Sequence, residues 1–429
     1  MEVKVLDIKY IKNNVEKVKD AVRNKQLEKT INIDDLLGVY DEYSNLLREV
    51  ESLRTERNKI SESVTKLTGD EKTAAISKGK QLKEEMGEKE SALKELKDKF
   101  DRLMLWVPNV PADDVPIGQD STGNVIVRTY GEKKSFDFEP KNHLELIENL
   151  GIADTKRGAK IGGFRSYFIV GKGMLLEQAI LRYALDHMVE QGFTPMNVPV
   201  MVDKRFLVGT GYFPWGEEDH YSIDETIGLA GTAEVALTSY YADEVLEEKD
   251  LPVKVVGLSP CFRKEVGSYG KDTQGIFRVH YFNKVEQVLL LPEGEDLSRE
   301  WHDKMLGYAE DVVKGLGLSY QVLLMCTGDM GAGQRRKYDI ETWFEGEKKY
   351  RETHSDSYFL EFQARRLNMR YKAADGTTKY VSTINNTVAA TPRLMAAVLE
   401  SYQQKDGSVV VPEVLRKYTG FDVITPIRK

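Results

Sequence analysis

Two heptad registers, one after the other near the start of the chain, constrain its fold more than any other feature. From Asp34 to Leu67 one seam position is held by Leu36, Tyr43, Val50, Arg57 and Val64, and the other by Val39, Leu46, Leu53, Ile60 and Leu67. That is the spacing of a helix lying along a partner helix, and Arg57 alone interrupts the apolar seam. A second register runs through Ala75, Gly79, Leu82, Met86, Lys89, Leu93, Leu96, Phe100 and Leu103, with Thr68-Gly69-Asp70 between the two as a natural turn. Helices joined by so short a turn must fold back antiparallel. At 1.5 Å per residue each spans roughly 50 Å, longer than a small domain is wide, so the hairpin is expected to project into solvent.

The 429 residues exceed what one hydrophobic core usually holds, about 250 to 300, so a second unit is expected. After Trp106 the run VPNVPADDVPIG carries closely spaced prolines, which stop a helix and suit a semi-rigid connector. The boundary is therefore placed near residue 110, giving an arm over 1–110 and a body over 111–429. In the body, helical and strand-like stretches mix without a repeating βαβ rhythm or an internal repeat, the pattern of an α+β fold with an antiparallel sheet and flanking helices.

The formal charge is −8 and the pI about 5.6, which argues against indiscriminate nucleic-acid binding but not against a local basic face. Acidic and basic residues balance over 1–110, so the body carries the whole deficit and the arm is the part that tolerates a polyanion. A coiled coil serves as readily for dimerisation or spacing as for reading RNA. Cys261 and Cys326 have no CxxC spacing, and His143, His187, His220, His280 and His302 no metal-ligand spacing, so zinc is not expected and each histidine reads as a surface or core residue. The first residues, MEVKVLDIKYIKNN, lack the apolar core of a signal peptide, and no run of about 18 apolar residues occurs. A soluble cytoplasmic protein, without a membrane partner, is expected.

Phe262 to Glu286 reads FRKEVGSYGKDTQGIFRVHYFNKVE, two strand-like runs around a glycine-rich loop. Side chains alternate along a strand, so Arg263 and Glu265 are expected on one face before the loop, and Arg278, Phe282 and Glu286 on one face after it. Guanidinium forks suit phosphate oxygens, an aromatic ring suits a purine, and a carboxylate suits a hydrated metal ion or an ammonium group. Those are the requirements for holding ATP beside an amino acid. The same alternation also describes an ordinary exposed hairpin with surface charges. Gly267-Ser268-Tyr269-Gly270-Lys271 is too short between its glycines for a P-loop, and Gly331-Ala332-Gly333 lacks the third glycine of a dinucleotide fingerprint.

Phe262-Arg263-Lys264-Glu265, the loop, and Arg278-Val279-His280 running to Lys284-Val285-Glu286 together resemble motif 2 of the class II aminoacyl-tRNA synthetases, in the form found in seryl-tRNA synthetases. The resemblance runs from Leu6 to the closing VVVPEVLRKYTGF. Leu175, Leu176, Ile180, Ala184 and Leu185 outline a helix leading to a strand that ends at Pro199, similar to motif 1, which in the family lies at the dimer interface. Thr232-Ala233-Glu234 matches the loop that binds serine in the family; locally it is equally a helix start, with Thr232 as cap and Glu234 in the first turn. Glu352-Thr353-His354-Ser355, followed by Phe362-Gln363-Ala364-Arg365-Arg366, corresponds to the family's EISS and FQARR stretch, departing from it at Thr353-His354 and again over Asp356-Ser357-Tyr358. Ser382 to Arg393 resembles motif 3. It enters a helix with Thr391 as expected cap and Pro392 at its first position. An arginine in a first turn opposes the helix dipole unless an anion is near.

The resemblance implies ATP-dependent attachment of L-serine to tRNA(Ser) through a seryl adenylate, by a homodimer whose arm recognises the tRNA. It implies that Arg263 sits on the α-phosphate, Arg278 near the γ-phosphate, Glu352 on Mg2+ with Ser355, and Arg393 against adenine opposite Phe282. Lys264, Glu265, Val279, Thr353 and His354 complete the implied ATP site. Thr232, Ala233, Glu234, Arg263, Glu286, Asn385 and Thr387 form the implied serine pocket, and Thr387 stands where many members carry serine. Entry residues Leu6-Asp7-Ile8-Lys9-Tyr10-Ile11 and Leu53-Arg54-Thr55-Glu56-Arg57-Asn58 are similar to the family's arm. Two other readings stay open: a ligase loading an amino acid onto a carrier protein, whose kind lacks such an arm, and a non-catalytic interaction protein. Charging of tRNA(Sec) is left open as well.

Overall fold

The structure is a computed structural model that describes residues 6–266 and 275–427; Gly267, Ser268, Tyr269, Gly270 and Lys271 of the glycine-rich loop lie outside the described residues. The chain divides into two compact units, residues 1–108 and 109–429.

In the first unit two short helices, α1 (Ile8–Asn13) and α2 (Val15–Asn24), precede two long ones, α3 (Ile33–Val64) and α4 (Gly69–Leu105). Every seam residue of the first register is buried or half-buried, Arg57 included. The pair is antiparallel. Phe100 stacks near Tyr43 at 6.3 Å and near Tyr40 at 5.4 Å, while Glu49 pairs with Lys89 at 2.6 Å and Glu56 with Lys78 at 2.6 Å. These ion pairs are solvent-exposed and set register more than stability. The turn lies one step earlier than the sequence reading put it. Thr68 is the N-cap residue, while Gly69 and Asp70 already belong to the first turn of α4, where Asp70 favours the helix dipole.

The second unit is built on an eight-stranded sheet. In chain order its strands are β1 (Val125–Tyr130), β2 (Thr194–Met196), β3 (Val253–Phe262), β4 (Tyr281–Leu291), β5 (Tyr320–Leu324), β6 (Arg336–Phe344), β7 (Lys349–Leu360) and β8 (Ser382–Thr391). Their spatial order is β1-β5-β6-β7-β8-β4-β3-β2. All neighbours are antiparallel except the edge pair β2 and β3, which runs parallel. Helix α5 (Lys172–Glu190) and helix α7 (Glu295–Gly315) cover one face of the sheet, and their apolar sides, Leu176, Ile180 and Met188 from α5 and Met305, Ala309 and Val312 from α7, are fully buried in the main core. Helices α6 (Glu234–Thr238), α8 (Phe362–Leu367) and α9 (Arg393–Tyr402) follow site segments.

Strand alternation assigns the two sheet faces different tasks. Gln287 and Asn386 each donate a side-chain N–H to the Met305 carbonyl of α7 at 2.9 Å. Their chain neighbours Glu286, Asn385 and Thr387 therefore point the other way, into the cleft described below. The proline-rich connector is not a free spacer: Asn109 donates to the carbonyls of Gly333 at 3.1 Å and Phe359 at 2.8 Å, and Val110, Ala112 and Val115 are buried. Among the described residues no helix is long and apolar enough to cross a membrane.

Candidate active site

A cleft of about 280 Å³ opens on the sheet face turned away from α7. Of the residues singled out from the sequence, Glu234, Arg263, Glu265, Val279, Phe282, Glu286, Glu352, Thr353, His354, Ser355, Asn385, Thr387 and Arg393 line it. They come from segments up to 160 residues apart, brought together by the order β7-β8-β4-β3.

Alternation alone does not produce this convergence. Strand β3 ends at Phe262 and β4 begins at Tyr281, so Arg263, Glu265 and Arg278 lie beyond the regular strands. Glu265 takes φ +55°, an uncommon left-handed conformation for a residue with a Cβ. Its carboxylate meets the Arg278 guanidinium at 3.1 Å. Arg263 is held by a hydrogen bond from Nε to the Gly231 carbonyl, 3.3 Å, and lies 5.2 Å from the Phe282 ring. Only Phe282 and Glu286 owe their common direction to a strand.

On β7 a bulge does the aiming. His354 pairs with Ile340 and Glu352 with Glu341, leaving Thr353 unmatched. The extra residue shifts the alternation, so Glu352 is exposed to the cleft and Ser355 half-exposed, while Thr353 and His354 are buried. The His354 Nε2–H donates to the Val388 carbonyl at 3.0 Å, which leaves Nδ1 to accept from the Thr353 hydroxyl at 2.8 Å. Burial pushes its pKa down to about 4. This neutral imidazole clamps β7 to β8.

Electrostatics divide the cleft in two. At one end stands Glu352, where desolvation by the cleft walls favours the neutral acid but the charges of Arg393, Lys337, Arg263 and Arg278 outweigh it and hold the group below the ordinary carboxylate range. Arg393 reaches the Glu352 carbonyl at 2.7 Å and its carboxylate at 3.6 Å, with its guanidinium 4.3 Å from the Phe277 ring. Lys337 pairs with Asp339 at 2.9 Å, and burial pushes that carboxyl up to about 7.

At the other end Lys284 forms an ion pair with Glu286 and Thr387 donates its hydroxyl proton to the same carboxylate at 3.2 Å. Beside them Glu234 is buried, accepting from the Tyr212 hydroxyl at 2.5 Å and the Gln363 amide at 2.8 Å. Burial, reinforced by Glu286, pushes the Glu234 carboxyl up to about 7. Asn385 is buried with its amide nitrogen unpartnered among the described residues, a vacancy in the hydrogen-bond accounting that native structures rarely leave without a ligand or solvent.

Two capping expectations are corrected. The N-cap of α6 is Ala233, not Thr232, although the Thr232 hydroxyl still accepts from the Glu234 N–H at 3.2 Å. The N-cap of α9 is Pro392, because β8 continues through Thr391, whose hydroxyl donates to Glu177 at 2.7 Å instead. Thr232 and Ala233 are buried behind Glu234. Lys264 stands outside the cleft lining, its ammonium 5.8 Å from the Tyr221 ring. The sequence reading missed Tyr212, Phe277, Lys284, Gln334 and Lys337, which also line the cleft. Lys284 was within reach, being two residues before Glu286 on one strand and so on its face; nothing local marks Tyr212. His143 lies with Glu347 and Glu400 so that their ligand atoms fall within 4.8 Å. Glu400 is engaged by the backbone N–H groups of His143 and Gly346 and Glu347 by Lys349 and Arg351, a structural clasp.

An antiparallel sheet carrying these cations and acids on one face is the core of a class II aminoacyl-tRNA synthetase, and residues 218–402 match the family model "tRNA synthetase class II core domain (G, H, P, S and T)". Residues 5–111 match the "Seryl-tRNA synthetase N-terminal domain". The chain is 42% identical to a serine--tRNA ligase of Deinococcus radiodurans over 97% of this chain and 98% of that one. It is 40% identical to that of Pyrococcus horikoshii over 99% and 98%. Among solved structures, seryl-tRNA synthetase from Pyrococcus horikoshii complexed with ATP superimposes with a TM-score of 0.92 at 40% identity, covering 99% of this chain and 100% of that one. A cytoplasmic serine-tRNA ligase from Naegleria fowleri in complex with AMP does so with 0.87 at 27% identity, covering 99% of each. The chain belongs to the seryl-tRNA synthetase family.

Proposed function

We propose that this protein attaches L-serine to tRNA(Ser) at the expense of ATP, through a seryl adenylate. The observation that carries the reading is the placement of Arg263, Lys337 and Arg393 around Glu352 at one end of a cleft, with Arg278 outside the lining but close enough for its charge to act on Glu352, while the other end holds Glu234, Glu286 and Thr387. Cations suit a triphosphate; a buried carboxylate pair beside a hydroxyl suits a small amino acid with an ammonium and a hydroxyl group.

In the first step the serine carboxylate oxygen attacks the α-phosphorus and pyrophosphate leaves. The protein contributes alignment and preorganised charge. Arg263 is assigned to the α-phosphate and Arg278 to the γ-phosphate, with Glu265 orienting Arg278. Phe282 and Arg393 flank the adenine, and Lys264, Val279, Thr353 and His354 frame the ATP site. Glu352 and Ser355, an ionised carboxylate and a hydroxyl on one face, fit Mg2+, which prefers one or two carboxylates plus phosphate oxygens. When bound it would neutralise phosphate charge. In the second step the terminal ribose hydroxyl of tRNA attacks the adenylate carbonyl, AMP leaves, and the hydroxyl proton is assigned to an adenylate phosphate oxygen.

Thr232, Ala233 and Glu234, with Arg263, Glu286, Asn385 and Thr387, are assigned to serine. The arm, residues 1–110, is assigned to tRNA(Ser), with tRNA(Sec) as a second acceptor to assay, and residues 111–429 to catalysis. We assign a homodimer that meets near Pro199, supported by the exposed Ile161, Phe164, Phe168, Met174 and Leu175 nearby in the chain, and a cytoplasmic location. The test is amino-acid-dependent exchange of pyrophosphate into ATP with serine, threonine, alanine and glycine, followed by charging of tRNA(Ser). Exchange with serine far above the others supports the reading, and no exchange with any would leave a non-catalytic protein.

A further inference from the structure

The Glu234 carboxylate is gripped from two sides, by a buried amide behind the cleft and by a phenol at its lining. Gln363, at the start of α8 and fully buried, donates from Nε2 to Glu234 at 2.8 Å and to the Thr210 carbonyl at 3.0 Å. Its own Oε1 accepts from the Thr383 hydroxyl at 2.6 Å, which fixes the amide orientation. Tyr212 donates its phenol proton to the second Glu234 oxygen at 2.5 Å. A carboxylate held by one donor on each oxygen keeps its plane fixed and its remaining lone pairs directed at the cleft. We infer that Gln363 and Tyr212 are positioning residues that hold Glu234 as an ionised, correctly oriented acceptor for the ammonium group of the amino acid. This rests on the reading of Glu234 as a serine-binding residue.

The electrostatic setting explains why such support is needed. Burial and the neighbouring Glu286 both favour the neutral acid, while Tyr212, Gln363 and Lys284 oppose them. Arg263 also acts on Tyr212, and the His220 ring lies 5.3 Å from that of Tyr212. A neutral Glu234 would offer an ammonium group far less attraction. Removing either donor tips the balance toward the neutral acid, and raising pH restores the carboxylate.

The experiment measures serine-dependent pyrophosphate exchange from pH 6.5 to 9 for Gln363→Met, Tyr212→Phe and Glu234→Gln in the full-length chain, with KM taken separately for serine and ATP. Loss of a hydrogen bond to a charged group predicts a rise in serine KM of about tenfold or more near pH 6.5. The excess should shrink toward pH 9, with KM for ATP unchanged. Tyr212→Phe leaves the α8 packing intact, so it decides the matter if Gln363→Met does not fold. A pH-independent loss, or equal loss of serine and ATP affinity, overturns the inference and marks a packing role. Glu234→Gln should raise serine KM at every pH. If it does and the two donor variants are silent, the positioning role alone falls; if it leaves serine KM unchanged, the serine-binding reading falls with it.

Discussion

Glu352 and Ser355 face the same cleft although three positions separate them on one strand, an odd offset that regular alternation would send to opposite faces. The unmatched Thr353 between them supplies the correction. Glu352→Gln keeps the shape and removes the carboxylate on which the charges of Arg393, Lys337, Arg263 and Arg278 act. Serine-dependent pyrophosphate exchange should fall by about 10²-fold or more, a loss typical of one preorganised electrostatic group. The Mg2+ concentration giving half-maximal rate should rise. An unchanged Mg2+ dependence would remove Glu352 from the metal site.

Arg263→Ala removes the guanidinium between Gly231 and Phe282. Exchange of pyrophosphate should drop below detection while the mass in solution and the far-ultraviolet dichroism spectrum stay those of the parent protein. Full activity would rule out its assignment to the α-phosphate.

Deleting residues 34–103, which removes the antiparallel hairpin, is expected to leave adenylate formation within about twofold. Charging of tRNA(Ser) should fall by at least about tenfold, since RNA contacts add several charge-assisted terms to affinity. Equal loss of both activities would contradict the arm's role.

Thr387→Val keeps the side-chain shape but removes the hydroxyl that donates to Glu286. A pocket built to bond a substrate hydroxyl loses discrimination when its polar groups are disturbed, so the preference for serine over alanine in exchange should fall by about tenfold or more. Unchanged preference would place hydroxyl recognition elsewhere, with Asn385 next in line.

Glu234 also makes a prediction about stability. Its carboxyl titrates near 7 in the folded chain against about 4.3 unfolded. The folded state therefore holds the proton more tightly; that contribution is full below about 4.3 and is lost as pH rises through about 7. Glu234→Gln should make the protein more stable than the parent at pH 8, by up to about 3 kcal/mol, and much less so at pH 5. Equal thermal shifts at both pH values would refute the burial cost.

The heptads determined the arm without help from tertiary context, because an apolar seam of that period has one use, burial against another helix, and a short turn leaves only the antiparallel arrangement. The residue types at Arg263 and Glu286 suited an anion and an amino acid by their functional groups, without excluding an ordinary charged hairpin, and the resemblance to the family's motifs supplied the roles of Glu352 and Arg393. What the tertiary structure decided is how those groups meet. Arg263, Glu265 and Arg278 converge from irregular backbone beyond the strand ends, Ser355 joins Glu352 by a bulge, and Thr391 trades its helix cap for Glu177. Lys337, Phe277 and Tyr212 enter the site only through strand order and loop packing. Local patterns report periodicity along one segment, whereas a cleft is made by the register between segments, and that register is set by the burial of both sheet faces at once.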